Sequence, residues 1–203
     1  MRTAVGVTLV AGIAVLLVTA VQTKAVSSAC PANLAGGIEG ARGASQLITV
    51  EAARYRTTAA SLRLWRRDRG CWAPVAGPWR ARVGRNGLAE RRLEGDGTTP
   101  AGVFTIGRVM YGNAPNPGVR YRYRRLVCGD WWSEDPSSPT YNTFQHLRCG
   151  TRPPFRTTTP GLWQEKRAYR HFAVVVFNMR PSVPGRGSGI FLHAQTGSST
   201  NGC

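Results

Sequence analysis

From Ser45 onward, apolar and polar residues change places over short distances, and turn-forming residues recur between the runs. "SQLITV" opens the series, and "ASLRLWRRD" alternates apolar and basic positions, which predicts a strand with one buried face. "CWAPVAGPWRARVG" follows the Arg69-Gly70 turn and completes a predicted hairpin. "GDGTTPAGVFTIG" reads as a Gly-rich turn in which Pro100 feeds an apolar strand, Val103 to Ile106. "RYRYRRLVCG" alternates again, whereas "GDWWSEDPSSPTYNTF" is aromatic and turn-rich and predicts a long surface loop. "TTPGLWQEKRAY" predicts one short helix after Pro160. The unbroken apolar run "HFAVVVFN" predicts a central strand buried on both faces, and "GSGIFLHA" a second apolar strand ending at His193. No internal repeat and no sustained helical period is present. The expected fold class is mainly β, a sandwich or mixed sheet with minor helix.

The 203 residues suit one ordinary domain with a sizeable core. Its N-terminus has a different character. Arg2 precedes the uncharged apolar stretch "AVGVTLVAGIAVLLVTAV", and Ser27-Ser28-Ala29 offers a small-x-small cleavage site. Residues 1–29 therefore read as a signal peptide or N-terminal membrane anchor. Residues 30–45 read as a Gly- and Ala-rich linker or arm, and residues 46–203 as the folded domain. The net charge of +17 is almost all Arg, with Lys24 and Lys166 the only lysines. The basic residues are scattered along strand-like segments. Export makes a nucleic-acid partner unsuitable and directs the basic surface to acidic cell-wall polymers or anionic membrane.

Export also bears on the five cysteines, because thiols without a task tend to pair in an oxidising compartment. Cys128 and Cys149 bracket the Trp-rich segment and are expected to staple it. Cys30 and Cys71 then tie the arm to the first hairpin. Cys128, His146 and Cys149 lack zinc-like spacing and a fourth ligand, so no metal site is expected. Gly95 to Gly102 lacks the Lys-Ser/Thr ending of a phosphate loop.

The odd cysteine is Cys203. His193 lies where an apolar strand runs out into "AQTGSSTNG", and nine residues later the chain reaches Gly202-Cys203. A loop of that length returns a thiol beside an imidazole, which either removes its proton or holds the pair as thiolate and imidazolium. Gly202 allows a tight turn whose N–H groups, with that of Cys203, aim at a developing oxyanion. On spacing alone, a strand-end histidine beside a structural cysteine explains the pattern as well. His146 and His171 stand away from this pattern and read as packed or surface residues. Trp131, Trp132 and Tyr141 either form a lid over a peptide–glycan substrate or anchor their own loop.

"STNGC" preceded by "IFLH" resembles the catalytic motif of the YkuD-type L,D-transpeptidases, in which a strand-end histidine precedes Ser/Thr-His-Gly-Cys. "GDGTTPAGVFTIG" independently resembles the upstream Gly-x-x-Thr-Pro-x-Gly-x-aromatic signature of that family, and the resemblance spans Gln46 to Cys203. "GRNGL", "YGNAPNPGVRY" and "CGDWWSEDP" are similar to an exported actinobacterial branch. The resemblance implies a cofactor-free enzyme acting on peptidoglycan stem peptides, with Cys203 as nucleophile and His193 as base, the latter oriented by backbone carbonyls. Thr200, Asn201 and Gly202 match the turn that shapes the oxyanion hole. Cross-linking, L,D-carboxypeptidase activity at the same site, and a non-catalytic envelope-binding role all stay open at this level. Two departures are visible. Asn201 occupies the place of the family's second histidine and cannot exchange a proton near neutral pH. Family members also continue past the cysteine, which leads to the expectation of a truncated domain, poorly active as residues 1–203 alone.

Overall fold

The computed structural model describes residues 29–203, and the signal peptide or anchor expected at 1–29 lies, but for its last residue, outside the described residues. The fold is mainly β. Helix is confined to short 3-10 turns at Ala35–Gly37, Glu39–Ala41 and Ala168–Arg170, so the helix expected after Pro160 amounts to the last of these. Proline and threonine at 157–160 supply few free backbone donors or helix formers for anything longer.

An antiparallel three-stranded sheet comes first, in the order β1 (Gln46–Glu51), β2 (Ala59–Asp68) and β3 (Cys71–Arg82). The predicted hairpin is β2–β3, with Asp68 opposite Cys71 across the Arg69-Gly70 turn. Pro74 and Pro78 lie on β3, the edge position that tolerates a residue lacking an N–H, and the register shifts alongside them. Trp65 on β2 and Trp72 on β3 pack with Ala35 and Ala41 of the arm. The Cys30–Cys71 disulfide fastens that arm, so residues 30–45 are packed against the sheet rather than a free linker.

Two residues of β4 (Leu88–Ala89) pair in parallel with β5 (Thr99–Pro100). The main core surrounds a four-stranded sheet in the order β11 (Phe191–His193), β10 (Phe172–Val175), β6 (Ile106–Gly112) and β7 (Arg122–Arg125). The apolar run at 172–175 is an interior strand, paired on both sides. Phe172, Val174 and Phe191 pack with Leu126, Trp132 and Leu162. The strand expected at Val103–Ile106 begins only at Ile106. Val103 is exposed, because Gly102 and the Pro100 turn deliver it before the sheet starts.

The Trp-rich segment expected as a surface loop instead folds back as a hairpin of β8 (Asp130–Ser133) and β9 (Thr143–His146). The Cys128–Cys149 disulfide closes its open end. Asp130, fully buried there, accepts hydrogen bonds from Arg124 (2.9 Å), the His146 ring Nδ1 (2.7 Å) and Val127 N–H (2.9 Å). This makes His146 a structural partner of a buried carboxylate. His171 likewise pairs with the Tyr123 hydroxyl at 3.2 Å.

Candidate active site

β11 is the edge of the central sheet, and the chain leaves it at His193. The 194–202 loop returns along the end of β3. There Arg85 N–H donates to the Thr200 carbonyl (2.8 Å), and Thr200 N–H donates to the carbonyl of buried Val83 (3.2 Å). Gly84, between them, lets the Gly-rich motif pack close, since a Cβ there would collide with the Gly97 carbonyl. Gly202 takes φ +146°, and a Cβ on it would stand 2.9 Å from Arg92 Nη1. Only glycine fits this turn comfortably.

Cys203 ends beside β11. Phe191 N–H points from that strand to Cys203 Sγ at 3.4 Å, and the thiol donates to the Gly189 carbonyl at 3.2 Å. The Cys203 carbonyl accepts from Thr99 Oγ1 at 3.0 Å and from Thr200 Oγ1. Thr99 Oγ1 also accepts from Gly84 N–H at 2.8 Å. The Gly-rich motif and the cysteine motif, 104 residues apart, are thus joined by one hydroxyl. Asp96 supports that motif by accepting from Leu93 N–H (2.7 Å) and from Thr98 N–H and Oγ1 (2.8 and 2.7 Å).

His193 Nδ1 meets the Ala194 carbonyl at 2.9 Å. A carbonyl only accepts, so Nδ1 carries the proton and the neutral ring keeps its lone pair on Nε2. Tyr169 stands edge-on to the ring, with centroids 5.8 Å apart. His193 and Cys203 border the same polar cavity of about 740 Å³. They also border an apolar cavity of about 460 Å³ on the side of Leu47 and Leu62. Burial of the sulfur pushes the Cys203 pKa up to about 11, and the charge of Glu134 adds to the rise; Phe191 N–H and Arg92 oppose it. At neutral pH the resting nucleophile is therefore a protonated thiol, not a thiolate.

Thr200, Asn201 and Gly202 do form the turn into Cys203, but their groups are engaged differently from expectation. Gly202 N–H donates to Thr200 Oγ1 at 3.3 Å, and the Asn201 side-chain Oδ1 accepts from Arg85 at 2.7 Å on the surface. Among the described residues, Cys203 N–H has no protein acceptor. The aromatic residues considered for a lid do not cover the cavity. Trp132 is 5% exposed and donates to Asn142 at 3.0 Å, and Tyr141 is 2% exposed with its hydroxyl on Glu94. Trp131 stacks edge-on with Trp163 and Phe155. All three anchor the β8–β9 hairpin.

Sequence reasoning missed Arg92 and Glu134. Arg92 is 3% exposed and reaches the Gly202 carbonyl (3.4 Å), with Asp96 at 4.0 Å. Glu134 accepts from Thr159 at 3.2 Å, and burial together with the charge of Glu94 raises its pKa. In a chain with 27 Lys and Arg residues Arg92 did not stand out by type, and no motif marks Glu134. Among the described residues, no group of three His, Cys, Asp or Glu side chains is placed to hold a metal ion.

The sequence profile of the L,D-transpeptidase catalytic domain family (YkuD) matches residues 45–203. The chain belongs to that family. No curated protein and no solved structure matches it. The match covers both motifs and the whole of the geometry above, and begins one residue before β1. An L,D-transpeptidase domain carries an L,D-transpeptidase-type function, with peptidoglycan as its substrate class.

Proposed function

We propose that this protein is an exported peptidoglycan L,D-transpeptidase that works through a thioester on Cys203. The observation that carries the reading is the convergence of Cys203, His193 and an unoccupied backbone donor at one polar cavity. Thr99 locks the cysteine turn to the second motif there. His193 Nε2 takes the thiol proton as sulfur attacks the carbonyl that joins an L-centre diamino acid to D-Ala. Cys203 N–H holds the developing oxyanion. Collapse breaks the C–N bond, and the imidazolium gives its proton to the departing D-Ala nitrogen. A side-chain amine of a second stem then displaces the thiol and forms the cross-link.

A buried thiol with a high pKa suits this sequence. Proton transfer is deferred until substrate excludes water, so the idle cysteine resists oxidation. The two disulfides agree with an oxidising envelope location. The test is incubation of the full-length protein with a disaccharide-tetrapeptide, followed by mass spectrometry of the products. Release of D-Ala with a cross-linked dimer supports the reading. Release of D-Ala with tripeptide alone assigns an L,D-carboxypeptidase. An unchanged substrate overturns both and leaves an envelope-binding role.

A further inference from the structure

Glu134 and Cys203 both approach Gly189 and border one cavity. The Gly189 carbonyl accepts the Cys203 thiol at 3.2 Å. A Cβ at Gly189 would collide with Glu134 Oε1, and Gly189 has φ +62°. The carboxylate therefore occupies the space that a side chain at 189 would fill. Its Oε2 is held by Thr159 Oγ1 at 3.2 Å. Oε1 receives no protein hydrogen bond among the described residues, and Glu134 borders the polar cavity with Glu94.

Arg92 draws the Glu134 pKa down, but burial and the charge of Glu94 outweigh it. Arg92 is almost wholly buried beneath Gly202 and Gly187, with Asp96 its nearest carboxylate at 4.0 Å. Its Nε has no hydrogen-bond partner. Ser188, 4% exposed, borders the same cavity with an unpartnered Oγ. Glu134 and Ser188, the latter one residue from the acceptor of the thiol, thus present a carboxylate oxygen and a hydroxyl to the cavity that His193 and Cys203 border. The complement in charge and hydrogen bonding is a primary ammonium, which brings one positive charge and three donors.

We propose that Glu134 is the acceptor-amine residue of this site: it binds the ammonium of the resolving stem peptide and takes its first proton. The proposal rests on the transpeptidase reading above. The step balances as follows. The ammonium loses one proton to the Glu134 carboxylate, and the freed nitrogen lone pair forms a C–N bond to the thioester carbonyl. The C–S bond breaks with its electron pair on sulfur. The second nitrogen proton passes to that sulfur through His193, giving the amide, the Cys203 thiol and a protonated Glu134. Water has no charge for Glu134 to recognise, so the carboxylate favours aminolysis over hydrolysis.

The test measures partition of the acyl-enzyme. The full-length protein is acylated with a tetrapeptide donor and offered either a diaminopimelate-containing tripeptide or hydroxylamine, which is uncharged at neutral pH. The ratio of aminolysis to hydrolysis is read for the parent protein, Glu134→Gln and Glu134→Asp. Because the ratio is taken per acyl-enzyme, a misfolded fraction does not enter it. Glu134→Gln is expected to lower the ratio for the tripeptide about tenfold or more, the size expected of a lost charge-assisted hydrogen bond. The hydroxylamine ratio stays within twofold, and Glu134→Asp falls between. Equal loss for both acceptors, or no loss for either, overturns the amine role while leaving the thioester intact. Absence of any acyl-enzyme on Cys203 overturns the transpeptidase reading and the amine role with it.

Discussion

Alkylation of Cys203 as a function of pH tests the electrostatics of the site before any substrate is involved. Cys203 is the free cysteine among the described residues, the other four being paired, so the signal has one source. Desolvation of the sulfur and the charge of Glu134 carry its pKa from an ordinary 9.0 to about 11, against Phe191 N–H and Arg92. That rise corresponds to about 3 kcal/mol against the thiolate. At pH 8 the ionised fraction is then about one in a thousand, against about one in ten for an ordinary thiol, so iodoacetamide reacts about a hundredfold more slowly than with a free cysteine. The logarithm of the rate climbs linearly from pH 6.5 to 9.5 without levelling. Glu134→Gln removes a negative charge and speeds alkylation at any pH in that range. Arg92→Met removes the opposing positive charge and slows it. A plateau at or below pH 9, or a rate that is already high and flat from pH 6, refutes the raised thiol pKa and means a thiolate at rest.

Further outcomes follow from single contacts. Thr99→Val removes the hydroxyl that bridges Gly84 N–H and the Cys203 carbonyl; thermal unfolding should show a loss of about 1–3 kcal/mol, and Cys203 acylation should slow by more than that stability loss explains. Replacing Cys128 and Cys149 by serine opens a loop of sequence separation 21 and is expected to cost about 3 kcal/mol by chain entropy, measured by urea titration. Asp135 is held well below the ordinary carboxylate range, first by Arg156 N–H and then by Ser137. A depressed folded pKa stabilises above the unfolded value near 4 and is lost as pH falls below it. Asp135→Asn should therefore flatten the acid limb of a stability–pH curve and lower its neutral plateau.

The parts of the fold that were legible are those in which one residue pattern has one physical solution. The unbroken apolar run at 172–175 needs partners on both faces and both edges, and it is an interior strand. Trp65 and Trp72 flank a Gly turn in alternating segments, and they pack together on a hairpin. The disulfide pairs followed from an export segment and an even set of bracketing cysteines. The β8–β9 hairpin was not legible, because its turn signals, Pro136, Pro139 and two serines, sit inside a long connection. The disulfide across that connection was legible, but the buried Asp130 that organises its start has no local signature. At the site, glycine, histidine and cysteine announced themselves by type and spacing. Arg92 and Glu134 did not, since their surroundings come from contacts 110 and 25 positions away. The same distance hides the engagement of Asn201 with Arg85, 116 residues upstream.

The central claim, that Cys203 is a nucleophile served by His193, is tested most directly by intact-mass spectrometry of the full-length protein after exposure to a carbapenem. The account predicts a single covalent adduct that maps to the Cys203 peptide. The adduct is absent in Cys203→Ser, and in His193→Ala it forms at least a hundredfold more slowly at neutral pH, on the order expected for loss of a general base. No adduct on the parent protein, or one that forms equally fast without the His193 imidazole, contradicts it.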